Sequence, residues 1–441
     1  RSAWRCLWTA KDIRRKRLIA LLILAMFRLA AHVPVPGANR DIIQAILKSG
    51  DATGQLINLL DLLSGGTVSK FSLLAMGVYP YITAQIILQL LTPIIPSWQK
   101  RMQDDPREGQ KWQEKWTYYL AVPMSALQAV GQVNIFNSTA SRLGLQGQVI
   151  ENFSFGNFLP SFTVVLAMTA GTMFATWLGE LISEFGLRNQ GLSLIIFAGI
   201  VSRIPSSIAA IYNDTENRWI GLVFMLLITV ATIFAIVFVQ QGRRNVPVMY
   251  PGRRVGARMS MPVKGTLPLM VNMAGMIPII FAQSLLTFPS IIASFFTQVN
   301  NDGVAKFAQG VVNLFGGNGS AYWIMYFFMV VLFAFFYTDV LFAQQNYGEN
   351  LKKVGAQIPG VTRGAPTQRY LTRVLRRITL PGALFLGIVA ILPWLLSTLI
   401  PFGQNAGGLL LTSSSGLLIV VGVVRDTFFS IDADLKLHGY D

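Results

Sequence analysis

From Phe71 to Gln99 the chain carries no charged side chain. At about 1.5 Å per residue, a helix over that run exceeds the ~30 Å hydrocarbon core of a bilayer. The preceding stretch from Leu56 is apolar too, but it is short and interrupted by Gly65, Gly66 and Lys70. An apolar segment that breaks at glycines and hands over to a full span is discontinuous, and the exposed backbone at such a break is tolerated only inside protein or beside a water-filled cavity. The spanning part also carries a polar row: Tyr81, Gln85 and Gln89 recur at four-residue spacing and Thr92 continues them, with Ile82 and Ile86 as the neighbouring row. A lipid-facing anchor needs neither row. This helix is expected to border a cavity or a polar partner.

The same charge-free texture recurs along the chain. Of 441 residues, 53% are hydrophobic and 13% charged, the balance of a polytopic membrane protein. Windows with at most one charge predict spans at 18–33, 74–96, 116–135, 159–181, 192–212, 219–240, 267–292 and 322–342. The run 378–424 holds two more, divided near 401–408. The expected fold is therefore an all-α polytopic membrane protein with ten transmembrane helices, and an even number of spans leaves both ends on one side. Loop charge chooses the side. Arg14, Arg15, Lys16 and Arg17 precede span one, Lys100, Arg101, Arg107, Lys111 and Lys115 lie between spans two and three, and Arg243, Arg244, Arg253, Arg254, Arg258 and Lys264 between six and seven. Lys352, Lys353, Arg363, Arg369, Arg373, Arg376 and Arg377 follow span eight, whereas the alternate loops carry only one to three cations each. The positive-inside rule places both termini in the cytoplasm. The net charge of +16 thus belongs to topology, and no specific DNA binding is expected.

Residues 1–17 read as a basic amphipathic N-terminus, with Trp4, Leu7 and Trp8 forming an interfacial patch. The first apolar run is followed by VPVPG rather than by a small-residue cleavage site. Arg28, inside span one, reads as a cation snorkelling to the far headgroups. The loops 242–266 and 346–370 exceed what connecting two spans requires. The first, rich in Gly, Pro and Arg, predicts an extended hairpin-like finger. Both suit a docking surface for acidic partners. Glu180, Asp339 and Asp426 fall near cytoplasmic span ends and read as solvated, unlike the midplane carboxylates of ion-coupled carriers. No phosphate loop, HExxH or paired-cysteine motif is present, Cys6 is the single cysteine, and His32 and His438 are far apart. No enzyme chemistry, metal or cofactor is expected, and the chain reads as a pore without its own motor.

Several separated stretches resemble the SecY family of protein-conducting channels. They are RRKRLIALLILAMFRLAAHVPVPG, SGGTVSKFSLLAMGVYPYITAQIILQLL, GTMFATWLGELISEFGLRNQGLSLIIFAGIV, LPLMVNMAGMIPIIFAQSLL, FFYTDVLF, NLKKVGAQIPG and GLLIVVGVVRD, in the family's order over nearly the whole chain. The resemblance implies two pseudo-symmetric five-helix halves around a central pore: 18–212 with spans one to five, 213–429 with spans six to ten, and a cytoplasmic tail at 430–441. It implies a pore ring of Ile82 and Ile86 from PYITAQI, Leu192 and Ile196 from GLSLII, Ile277 from GMIP and Ile419 from GLLI. The implied plug comprises Asp61, Leu62, Leu63, Ser64, Gly65, Gly66, Thr67, Val68, Ser69, Lys70 and Phe71. Gln85, Gln89, Asn272 and Gln283 are candidates for a lateral gate to lipid, and Arg253 and Arg254 match the family's docking finger for ribosome or motor. The family's second docking arginine follows Pro-Gly plus one residue. Here Val361 and Thr362 intervene and Arg363 stands one place later; likewise Met270 stands where relatives often have Lys.

The function so implied is passage of unfolded secretory polypeptides across the plasma (inner) membrane of a bacterium, with lateral release of transmembrane segments into membrane lipid. The implied partners are the small subunits SecE and SecG, the SecA ATPase, the ribosome, and signal peptides and nascent chains. The alternative is a secondary solute transporter with broken helices. A polar midplane site would mark the transporter; an apolar constriction and long basic loops mark the channel.

Overall fold

The structure, a computed structural model, describes residues 11–48, 67–68, 71–142, 147, 149–150, 153, 158–186, 191–202, 205, 218–251, 254–255, 258–259, 263–296, 302–315, 320–345, 347–399, 416 and 418–428. Ten of its helices take up the ten predicted spans: α1 (Lys11–Ala30), α3 (Tyr79–Leu91), α5 (Pro106–Arg142), α6 (Phe158–Phe185), α7 (Gly191–Val201), α8 (Arg218–Gln241), α9 (Ile277–Phe296), α11 (Ser320–Gln345), α13 (Ala365–Leu399) and α14 (418–428). Four shorter helices lie between them: α2 (Arg40–Lys48), α4 (Pro96–Asp104), α10 (Asp302–Phe315) and α12 (Tyr347–Lys353). Among the described residues three helices, α6, α11 and α13, are long and apolar enough to cross a membrane.

Two spans start later than the charge-free windows predict. Span two is helical only over the 13 residues of α3, about 20 Å at the helical rise. Residues 71–78 are turns instead. They form a short antiparallel contact with the chain leaving α1: the Val35 N–H donates to Phe71 O at 3.0 Å and the Leu73 N–H to Val33 O at 2.9 Å. Prolines 34 and 36 end the helix, and the extended chain they force offers the backbone groups that the turns need. Helix α6 presses on the same turn, since a side chain at Gly171 would meet Leu73 O at 2.0 Å. Span seven likewise loses its first residues, because 267–270 belong to a strand.

That strand completes the predicted finger. Strand β1 (Arg243–Tyr250) pairs antiparallel with β4 (Val263–Met270), from Arg243 opposite Met270 to Tyr250 opposite Val263, and the shorter β2 (Arg254–Val255) and β3 (Arg258–Met259) pair nearer the tip. Val246, Val248 and Leu269 turn inward onto Phe342, Ala356, Ile358, Leu371 and Leu375. A Met249–Gln357 bridge, with N–H···O distances of 2.8 and 2.9 Å, ties the finger to the second long loop. The two cytoplasmic-loop candidates therefore share one small core.

In the helical part, α1 buries Ala20, Ile23, Phe27 and Ala31 at helical spacing against α6 and α7. Buried Ser and Thr are abundant, yet Thr83, Thr92, Thr172, Thr176, Ser284, Thr338 and Thr379 each donate to the carbonyl four residues back. Such back-bonding lets a polar side chain sit in an apolar layer without losing a hydrogen bond.

Candidate functional site

The six candidate ring residues come from α3, α7, α9 and α14. Ile82 and Ile86 lie one turn apart on α3, Leu192 and Ile196 one turn apart on α7, Ile277 opens α9 and Ile419 sits near the start of α14. Two apolar clusters contain them. In one, Ile196 and Ile419 are 5% and 1% exposed, with Ile82, Leu192, Met276 and Val420 packed at its edge. In the other, Ile86 is buried, and Ile82, Met276 and Ile277 line the edge. Ile82 and Met276 pack against both clusters, so they lie where the two adjoin. Sequence reasoning missed Met276, although it adjoins Ile277 in the same GMIP motif. Ile82, Leu192 and Ile277 keep part of their surface open. In a channel, a ring of such apolar side chains admits a flexible chain while opposing water and ions.

Thr67, Val68 and Phe71 are the described plug candidates; Asp61, Leu62, Leu63, Ser64, Gly65, Gly66, Ser69 and Lys70 lie outside the described residues. Thr67 donates its hydroxyl to Leu74 O at 2.5 Å. Phe71 is fully buried edge-on to Phe136, with ring centroids 5.1 Å apart, and it takes a left-handed φ of 43°. These residues pack with Ile42, Ile43 and Ile46, the apolar face of α2.

Among the gate candidates, Gln85 and Gln89 are half-buried on α3 and Gln283 is buried on α9. Asn272 closes the turn into α9: its side chain donates to Gly275 O at 3.1 Å and accepts from the Gly275 N–H at 2.9 Å. The richest polar seam lies elsewhere, where α3 and α5 meet α9. There Tyr79 OH and Thr287 Oγ1 are 3.4 Å apart. A cavity of about 20 Å³ is lined by Val68, Ala75, Met76, Tyr79, Gln128, Gln132, Ile135 and Ile291. Gln132 Nε2 and Ser290 Oγ are buried without a partner among the described residues. Gln128 and Gln132 repeat the four-residue spacing of Gln85 and Gln89, the signal by which they were legible.

Of the docking candidates, Arg363 is exposed in the turn before α13, Arg254 begins β2, and Arg253 lies outside the described residues. Two of the three carboxylates pair with an arginine. Asp339 on α11 takes a forked pair of bonds from Arg376 on α13, the shortest 2.8 Å. Asp426 pairs with Arg425 at 2.9 Å. Glu180 is exposed, as a solvated end should be.

A sequence profile of the SecY family matches residues 72–428. The chain belongs to the SecY family. It is 36% identical to the protein translocase subunit SecY of Streptomyces galbus, over 98% of this chain and 96% of that one. Identity is 37% to that of Aquifex aeolicus, over 99% and 97%, and 38% to that of Mycobacterium tuberculosis, over 98% and 96%. Among solved structures it is similar to one described as a protein conducting channel, with a TM-score of 0.62 at 17% identity over 97% of this chain and 94% of that one. A second, reported for the SecY plug domain and the closed state of its channel, gives a TM-score of 0.63 at 18% identity over 97% and 94%. Fold likeness at this identity reinforces the architecture. The SecY fold is an all-α polytopic membrane fold of ten transmembrane helices, and this family member is a multi-pass protein of a bacterial membrane.

Proposed function

We infer that this chain is the central subunit of a protein translocation channel, passing unfolded secretory polypeptides across the membrane and releasing transmembrane segments sideways into lipid. Family membership over most of the chain supports the reading. The observation that carries it is that the six apolar candidates, from four separate helices, fall in two adjoining clusters that share Ile82 and Met276. A channel subunit of this kind is not a catalyst; it has no motor and takes its driving force from partners. SecE and SecG, the SecA ATPase and the ribosome are the partners the family implies, with the finger around Arg253 and Arg254 and the turn at Arg363 as their docking surface. The shared core under both loops supports one rigid surface rather than two floppy ones. The basic loops support a cytoplasmic location for this surface and for both termini.

The test is ion tightness. A dry apolar gap opposes a charge because desolvation of an ion costs on the order of several kcal/mol. Replacing Ile82, Ile86 and Ile277 together by Asn should raise resting conductance in planar bilayers while secretory precursors still cross. A folded triple variant as ion-tight as the parent would remove these residues from the pore.

A further inference from the structure

Arg28 does not merely reach for headgroups. It is half-buried, and its Nη2 lies 2.7 Å from Ala198 O and 3.0 Å from Gly199 O, and also bonds to Ser202 Oγ. Ser202 in turn donates its hydroxyl to Gly199 O at 2.8 Å. These acceptors form the last turn of α7 and the residue just beyond it. Ala198 O also accepts from the Ser202 N–H at 3.2 Å, so Arg28 adds a second donor to the last turn, and a cation there meets the negative end of the helix dipole. At membrane depth such carbonyls need a protein partner more than they would in water.

Helix α7 has particular need of an external anchor. It is 11 residues long and apolar on every face, GLSLIIFAGIV. A helix with no hydrophobic stripe has no preferred rotation of its own, so contacts at its ends must set it. At its start, Gly191 fits against Gly179 O of α6 so closely that a side chain would lie 1.7 Å away, and the Gly191 N–H donates to Ser183 Oγ at 3.1 Å. At its other end stands Arg28 of α1. Between the two anchors lie Leu192 and Ile196, with Ile200 next in the same row and packed in the cluster that holds Phe27, the neighbour of Arg28.

We propose that Arg28 is a positioning residue for the pore ring: by binding the end of α7 it fixes that helix's rotation and so holds Leu192 and Ile196 in the constriction. This inference rests on the ring reading above. Removing the guanidinium frees the last turn of α7, lets the Leu192–Ile196 edge turn out of register, and opens a leak although no ring residue has changed.

The experiment measures resting conductance and thermal stability of the intact channel purified from its membrane, for Arg28→Met, Arg28→Lys and Ser202→Ala beside the Ile82/Ile86/Ile277 triple Asn variant. Arg28→Met should raise resting conductance about tenfold, the worth of one charge-assisted hydrogen bond. Arg28→Lys, which keeps the cation but not the fork, and Ser202→Ala, which deletes one acceptor, should fall between Met and parent. A purely structural role would lower stability and leave conductance unchanged, and that result overturns the proposal. If Arg28→Met does not assemble, the milder pair decides: raised conductance supports the anchor and parental conductance removes it. A leaky triple variant beside tight Arg28 variants refutes the anchor alone. A tight triple variant refutes the ring and, with it, this inference.

Discussion

Gly191 is where a single hydrogen atom decides whether two spans can meet. Its α-carbon sits against Gly179 O, and a methyl group there would overlap backbone, which has no rotamer to escape into. Gly191→Ala should therefore cost about 1–3 kcal/mol, the range for forced overpacking. Gly310, inside α10 with nothing within 4 Å of an added Cβ, should tolerate Ala or gain up to about 1 kcal/mol of helix propensity. Thermal unfolding of the two variants in the same detergent checks the contrast; equal melting temperatures would contradict the packing. The sequence shows both glycines alike. Nothing in GLRNQGLSL tells that Gly191 meets a carbonyl of the preceding helix, because the distance depends on how the two helices cross. Arg28 teaches the same lesson with charge. A lone arginine near a span end looks like any snorkelling cation until the helix whose carbonyls it binds is brought beside it.

Among elements, the finger was legible and its footing was not. Gly, Pro and Arg in 242–266 exclude a helix and favour a hairpin, and the β1–β4 pairing follows that expectation. That Val246 and Val248 look inward onto Ile358 and Leu371 depends on residues more than a hundred positions away. Val248→Asp would bury a charge in this small core. The hairpin should then detach, cutting by a soluble protease between 243 and 270 should quicken severalfold, and the spans should remain intact. Unchanged digestion would mean that the finger stands without its footing. Span two shows the opposite limit. Absence of charge over 71–99 says that the segment enters apolar surroundings, but says little about where its helix begins. The turns of 71–78 replace helix there because the extended chain after Pro34 supplies hydrogen-bond partners, and because Gly171 of α6 lets the turn approach.

For the molecule as a whole, topology yields the broadest prediction. Thr362 and Asn313 are both exposed, in the turn before α13 and on α10. Single cysteines placed there should react with a membrane-impermeant label from opposite sides, Thr362 from the cytoplasm and Asn313 from outside. Labelling from one side would break the ten-span order. The bonds from Arg28 to α7 set spans one and five side by side. Span number and the family motifs were legible in the sequence alone, and loop charge gave an expected side for each basic loop, because hydropathy and charge act on each segment by itself against bilayer and water. Where the spans touch was decided only by the tertiary structure. The two apolar clusters that share Ile82 and Met276, the polar seam of Tyr79, Gln128 and Gln132, and the contact of Arg28 with α7 depend on crossing angles and rotations. A segment that is apolar on every face carries no local signal for either.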